Sequence, residues 1–280
     1  MSDFPTRIVD QIAHRPWPMP DAPWLMTQSW HDLLFAHWPV DRQLLQSKVP
    51  PCFPLDLYDG QAWIGVVPFR MTNVAPRGVP AIPWVSAFAE VNVRTYVTVG
   101  GRPGVYFFSL DAQSALAVAT ARLLLHLPYY TARMDVRDEA RQIQYTSRRI
   151  GRDPEPAELV AQYRPLGVAA EPLPGTLEHF LTERYCPYNI GNRSRAYRLE
   201  IHHPPWKLQR AEAEIDLNTM AAAKIRTWWR GAPTRPGLRC ATAAGFPGTI
   251  SRRILRMAAT ERPAVYSTKS SGDGWSRSCS

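Results

Sequence analysis

FAEVNVRTYVTV, residues 88–99, decides the fold. Side chains along a strand alternate between two faces. Here Glu90, Asn92, Arg94, Tyr96 and Thr98 share one face, while Val91, Val93, Val97 and Val99 share the other. Gly100-Gly101 supplies a turn, and GVYFFSL, residues 104–110, returns as a partner strand, so the segment reads as a β-hairpin. The polar face admits two readings. Either it is a solvated sheet face, or it lines the interior of a barrel around a polar cavity. Glu90 and Arg94 stand about 13 Å apart along an ideal strand and do not neutralise each other directly. If buried, each needs a partner from another strand, from water or from a ligand, because an unpaired buried charge is costly. An arginine lining such a cavity suits bidentate recognition of a carboxylate.

Outward from the hairpin, the same alternation recurs. GQAWIGVVPFRM, residues 60–71, is apolar and β-rich, with Pro68 marking an edge or a bulge. After residue 110, Asp111 can cap a helix, AQSALAVATARLLLHL, whose Leu, Val and Ala content marks it as mostly buried and which Pro128 ends. Short strands are expected at TARMDVRD, RQIQYTSRR, LVAQYRP, RAYRLEIHH and KLQRAEAEI, with a short helix at TLEHFLTERY between them. Towards the N-terminus, QSWHDLLFAHW places Trp30, Leu33, Leu34 and Trp38 at helical spacing before Pro39. RPWPMPDAPWLM, residues 15–26, is proline- and tryptophan-rich and reads as an extended arm along the surface. No βαβ alternation is present. The expected fold is therefore mainly β (α+β), an antiparallel, barrel-like sheet with a few short helices.

Composition narrows the class. A chain of 280 residues with 45% hydrophobic content is long enough for one large domain. Its net charge of +9 lies entirely in residues 224–280, which carry 11 basic and 2 acidic residues, whereas residues 1–223 carry 22 of each. The sequence thus divides into one barrel domain with its arm, 1–223, and a basic, atypical tail, 224–280, read as disordered or as the product of a shifted reading frame. Nucleic acid is not an expected partner except through that tail. The first twenty residues hold no apolar run after a basic start, and no stretch reaches eighteen uninterrupted apolar residues. A cytoplasmic protein without a membrane partner is expected. Cys52, Cys186, Cys240 and Cys279 have no C-x-x-C spacing, and reduced thiols are expected. Nucleotide-loop, nucleophile-elbow and H-E-x-x-H motifs are all missing, and His202-His203 is the one pair of neighbouring histidines. The reading includes neither a metal nor a cofactor.

RPWPMPDAPW, WHDLLFAHWPV, LDLYDGQAWIGVVPF, FAEVNVRTYV with GRPGVYFFSLDA, LLLHLPYYTARM, LTERYCPY and HHPPW occur in this order. Together they resemble the YqjF-like family of uncharacterised bacterial proteins over about residues 15–223. That family is similar in turn to the acetoacetate decarboxylase superfamily, and the resemblance implies a cone-like antiparallel β-barrel around a central cavity. In the decarboxylases a helix leads into a Lys-Lys segment, one lysine forming an imine with substrate while its neighbour lowers its pKa. Here the helix leads into Leu127-Pro128-Tyr129-Tyr130, and a phenol cannot form an imine. Residues 1–223 contain only Lys48 and Lys207. Glu90 matches a carboxylate of the superfamily's cavity.

Two functions follow as expectations. In the first, the cavity binds a small anionic or polar metabolite through Glu90, Arg94, Tyr129, Tyr130 and Arg184, with Glu90 as the candidate acid or base and no lysine imine chemistry. In the second, the protein is a non-catalytic scaffold whose barrel is filled by its own side chains and whose aromatic arm meets a partner. The sequence leaves the oligomeric state open.

Overall fold

The computed structural model describes residues 10–21, 23–82, 86–140, 142–151, 156–191 and 195–222, together with the backbone alone of 239–243 and 251–257. In chain order the elements are β1 (Met26–His31), β2 (Leu34–Val40), α1 (Arg42–Gln46), β3 (Ala62–Pro76), β4 (Phe88–Val99), β5 (Arg102–Ala112), α2 (Ala115–Leu125), β6 (Tyr129–Glu139), β7 (Gln142–Arg149), β8 (Glu158–Ala170), α3 (Leu177–Thr182), β9 (Pro187–Ile190), β10 (Ala196–His202), β11 (Leu208–Asn218), β12 (Arg239–Ala243) and β13 (Ser251–Met257). The mainly β fold with short helices is as expected.

All described strands join one sheet in the order β1-β13-β10-β9-β5-β4-β3-β2-β12-β11-β8-β7-β6. Two further pairings, β1 with β3 and β6 with β5, bring each end of this sheet back to its middle. The sheet therefore returns on itself in two lobes that share β3, β4 and β5. Pairing is antiparallel except where β5 meets β6 and β9, which run parallel to it. In the β4–β5 hairpin Val99 pairs with Arg102, and Gly100 and Gly101 both take positive φ, the geometry of a two-residue turn that follows the strand twist. A bulge between Val93 and Arg94 skips Phe108. It leaves Phe107 and Leu110 opposite Arg94 and Asn92, on the polar face of β4.

The parity of β4 divides the molecule. Val91, Val93 and Val97 enter a large core with Leu34, Ala36, Trp38, Met134, Ile143, Tyr145, Leu159, Ala161 and Tyr163, which fills the lobe built on β6, β7 and β8. The opposite face, Glu90, Asn92, Arg94 and Tyr96, is also buried, so it is not a solvated sheet face.

Several local expectations need correction. Residues 28–38 form strand rather than helix, because β1 and β2 lie along successive halves of β3, with Asp32 at φ 52° between them. Leu33 to Trp38 are buried on both faces, which erases the period of two and leaves an apolar spacing that imitates a helix. Pro68 lies inside β3, in the interval between the residues that pair with β2 and those that pair with β1, where a residue lacking N–H is tolerated. The N-cap of α2 is Ser114, whose side chain accepts from the Ala117 amide. Asp111 instead ends in β5, fully buried. Helix α2 is not mostly buried either: Val118 is its buried residue, while Leu116, Leu123 and Leu124 are 64%, 74% and 58% exposed.

The described part of the arm, residues 15–21 and 23–26, is tied to the body of the protein. Arg15 donates to Glu200 Oε2 at 3.1 Å and to the Ile201 carbonyl at 2.7 Å, and Trp17 Nε1 donates to the same carboxylate at 3.0 Å. Cys186 is a buried free thiol whose pKa burial pushes up to about 12, and the Cys52 sulfur is in a disulfide, which corrects the expectation of reduced thiols there. Of the stretch 224–280, the backbone of β12 pairs with β2 and β11, and that of β13 with β1 and β10. The rest of the expected tail lies outside the described residues.

Candidate functional site

Where β1 pairs back to β3, the lobe is hollow. A cavity of ≈ 350 Å³ is lined from β1, β3, β4, β5, β9 and β10, with α2 along one side. From α2 it takes Leu116, Ala117, Thr120, Ala121, Leu124 and Leu125, spaced i, i+1, i+4, i+5, i+8 and i+9, which is one face of a helix. The apolar content of α2 is thus explained by a cavity wall rather than by a packed core. Met26, Trp30, Met71, Phe88, Phe107, Leu110, Leu199 and Ile201 supply most of the remaining wall.

The buried polar groups of this cavity are Gln28, Glu90 and Asn92. Asn92 Oδ1 is buried and has no hydrogen-bond partner among the described residues. Behind this floor, the Tyr145 hydroxyl donates to the Glu90 carbonyl at 2.8 Å and to the Phe69 carbonyl at 3.3 Å. Burial, reinforced by Tyr163 and by the Glu90 charge, holds that phenol's pKa well above its usual range. It therefore stays protonated as a fixed donor.

The five residues singled out from sequence separate into three places. Glu90 and Tyr129 line the cavity just described. Tyr130, one residue on and therefore on the other face of β6, lines a second cavity of ≈ 320 Å³ with Lys48, Tyr106, His126 and Asn189. Arg94 and Arg184 line neither of these cavities. Arg94 Nη2 donates to the Leu181 carbonyl at 3.0 Å, and its guanidinium lies over the rings of Phe35 and Tyr96. Arg184 pairs with Asp56 at 2.6 Å and stacks on Phe180; burial lowers its pKa, and Asp56 opposes that shift.

Gly65, opposite Arg94, makes room for this cluster: a Cβ there would come within 2.6 Å of His37 Nε2. His37 is buried, 2.6 Å from the Tyr96 hydroxyl, and desolvation with the adjacent Arg94 holds its pKa well below the ordinary value. Sequence reasoning missed His37, Asn92 as an open acceptor, and the Asp111–Arg149 pair. Asn92 was visible on the polar face of the strand, but His37 lay in a segment read as helix.

Among the described residues, no three His, Cys, Asp or Glu side chains gather as a metal site would need.

With this geometry, comparison with known proteins is informative. The family model DUF2071, described as an uncharacterized conserved protein, matches residues 27–241. Uncharacterized protein YqjF of Bacillus subtilis (strain 168) is 47% identical over 205 residues, covering 73% of this chain and 84% of that one. The chain belongs to this family. Among solved structures, the chain resembles acetoacetate decarboxylase from Legionella pneumophila, with TM-score 0.54, 14% identity, and 89% and 93% of the two chains covered. An acetoacetate decarboxylase-like enzyme from Sphingomonas wittichii RW1 gives TM-score 0.53 at 14% identity, covering 88% and 96%. The enduracididine biosynthesis enzyme MppR, in complex with pyruvate, gives TM-score 0.52 at 9% identity, covering 89% and 92%. The fold is that of the acetoacetate decarboxylases. Among the described residues no helix is long and apolar enough to cross a membrane.

Proposed function

We propose that this DUF2071 protein binds a small, mainly apolar molecule that carries a hydrogen-bond donor, in the cavity floored by Gln28, Glu90 and Asn92. The observation that carries this reading is the void itself. At ≈ 350 Å³ it falls in the range of small-molecule sites, its walls are apolar, and Asn92, one of its lining residues, has a buried Oδ1 with no hydrogen-bond partner among the described residues. A buried acceptor left without a donor costs about 1–3 kcal/mol, so an occupant that offers a donor gains that much more than one that does not.

The sequence suggested an anionic or polar ligand, the anionic charge being matched to Arg94, which was expected in the cavity. With Arg94 directed to the Leu181 carbonyl and Glu90 on the floor, the local charge favours a neutral or cationic head group. Among the described residues that line this cavity there is no lysine to supply the amine for the imine chemistry of the decarboxylases. Should the ligand react, Glu90 is the group placed to accept or deliver a proton, with Tyr129 on the same wall. The scaffold alternative describes the lobe around β6–β8, which its own side chains fill, but not the hollow one. MppR, which shares the fold, is complexed with pyruvate, and this supports a small-molecule role in general terms.

Native mass spectrometry of freshly purified protein tests this. The expected spectrum shows a satellite of one small molecule that is lost on denaturation and missing from Ala121→Trp, where an indole fills the cavity. A satellite of equal intensity in Ala121→Trp would refute the assignment.

A further inference from the structure

Residues 125–130 form a partition. Leu125, Leu127 and Tyr129 line the first cavity, while His126, Pro128 and Tyr130 line the second, and Phe107 is shared between them. The second cavity differs in chemistry. Its walls are aromatic, from Tyr106, Phe107, Phe108 and Tyr130. Its lining contains one formal charge, the ammonium of Lys48, and Lys48 forms no ion pair among the described residues.

Asn189 gives this cavity a second polar point. Its amide Nδ2 donates to the carbonyls of Leu125 and His126 at 3.0 and 2.9 Å, which satisfies the end of α2 where His126 adopts the left-handed conformation at φ 52°. That capping fixes which end of the amide is oxygen. Oδ1 is buried and has no hydrogen-bond partner among the described residues, and Asn189 as a whole is 4% exposed. Tyr130 is held in place from behind: the Arg149 guanidinium lies 3.8 Å from its ring centroid, and Asp111 fixes that guanidinium through two hydrogen bonds.

We infer that the second cavity is a separate binding site for a small aromatic carboxylate bearing a hydrogen-bond donor, its ring between the aromatic walls, its carboxylate on Lys48 and its donor on Asn189 Oδ1. One cation matches one negative charge, and flat walls favour a flat ligand. Phosphate, which offers no apolar face and carries more charge, fits the same lining less well.

The test is calorimetric titration with 4-hydroxybenzoate, benzoate and methyl 4-hydroxybenzoate. For the wild-type protein, 4-hydroxybenzoate should bind with a stoichiometry of one. Benzoate, lacking the hydroxyl, should bind about tenfold more weakly, and so should the ester, lacking the charge. Lys48 is exposed, so Lys48→Gln should keep the wild-type melting temperature; it should weaken the acid about tenfold and erase the difference between acid and ester. Binding should persist in Ala121→Trp, whose first cavity is filled. Absence of binding at millimolar acid, equal binding of acid and ester, equal binding of benzoate, an unchanged affinity in Lys48→Gln, or loss of binding in Ala121→Trp would each overturn the assignment.

Discussion

Replacing Arg149 with Met should cost about 3–5 kcal/mol of stability. Arg149, on β7, donates from Nε to Asp111 Oδ2 at 2.7 Å and from Nη2 to Asp111 Oδ1 at 2.8 Å, a bidentate pair between side chains 2% and 0% exposed. Met keeps much of the volume but removes two charge-assisted bonds, each worth about 1.5–3 kcal/mol. It also removes the guanidinium beneath the Tyr130 ring, worth about 0.5–2 kcal/mol. Most important, it leaves the Asp111 carboxylate buried without the cation that faced it. Small domains are stable by only about 5–15 kcal/mol, so the loss is large on that scale. Asp111→Asn leaves the opposite error, an arginine that cannot shed its proton, and should be at least as costly. Replacing both, as Asp111→Leu with Arg149→Met, should recover a substantial part of the loss, since neither charge then remains. Urea denaturation followed by tryptophan fluorescence and circular dichroism measures all four proteins. A single replacement costing under 1 kcal/mol, or a double variant no better than the singles, would refute the reasoning.

The buried His37 gives a prediction about pH. Its folded pKa is depressed, so as pH falls below about 6.5 the unfolded chain takes up a proton that the folded one refuses, and stability drops by about 1.4 kcal/mol per pH unit. Urea titrations at pH 7.5 and 5.5 should show a smaller loss in His37→Gln than in the wild type; equal losses would count against a neutral buried imidazole. For the chemistry, borohydride reduction with acetoacetate or pyruvate should leave no adduct on residues 1–223, because no lysine is among the described residues lining the first cavity and Lys48, in the second, has no other lysine in that lining to activate it. A reduced adduct mapped to Lys48 or Lys207 by peptide mass would overturn this.

The sequence made the hairpin and most strands after residue 88 legible, because β4, β7 and β11 each have faces that differ in polarity, and Gly100-Gly101 permits one tight turn. β1 and β2 were hidden for the opposite reason. Where both faces of a strand are buried, apolar residues run together and any spacing can be found among them. The two-lobed arrangement was not legible, since it depends on pairings between strands far apart in sequence, such as β1 with β3. At the site, parity along the strand put Glu90 and Asn92 on one face but left open whether that face is buried, as it is. It could not tell that a cavity would reach Asn92 and stop short of Arg94, because the contents of a face depend on elements that cross it. The Tyr129-Tyr130 dipeptide was noticed, but as one pair at one site; alternation along β6 sends them to different cavities.

The most direct measurement of the central claim, a hollow apolar lobe with a polar floor, is titration with linear primary alcohols of increasing length. Each added methylene buried in the first cavity is worth about 0.8 kcal/mol, so affinity should rise about fourfold per carbon and then level off once the ≈ 350 Å³ are filled. Ala121→Trp should bind none of the series measurably. An affinity that does not respond to chain length, or a series that binds Ala121→Trp as well as the wild-type protein, would contradict the account.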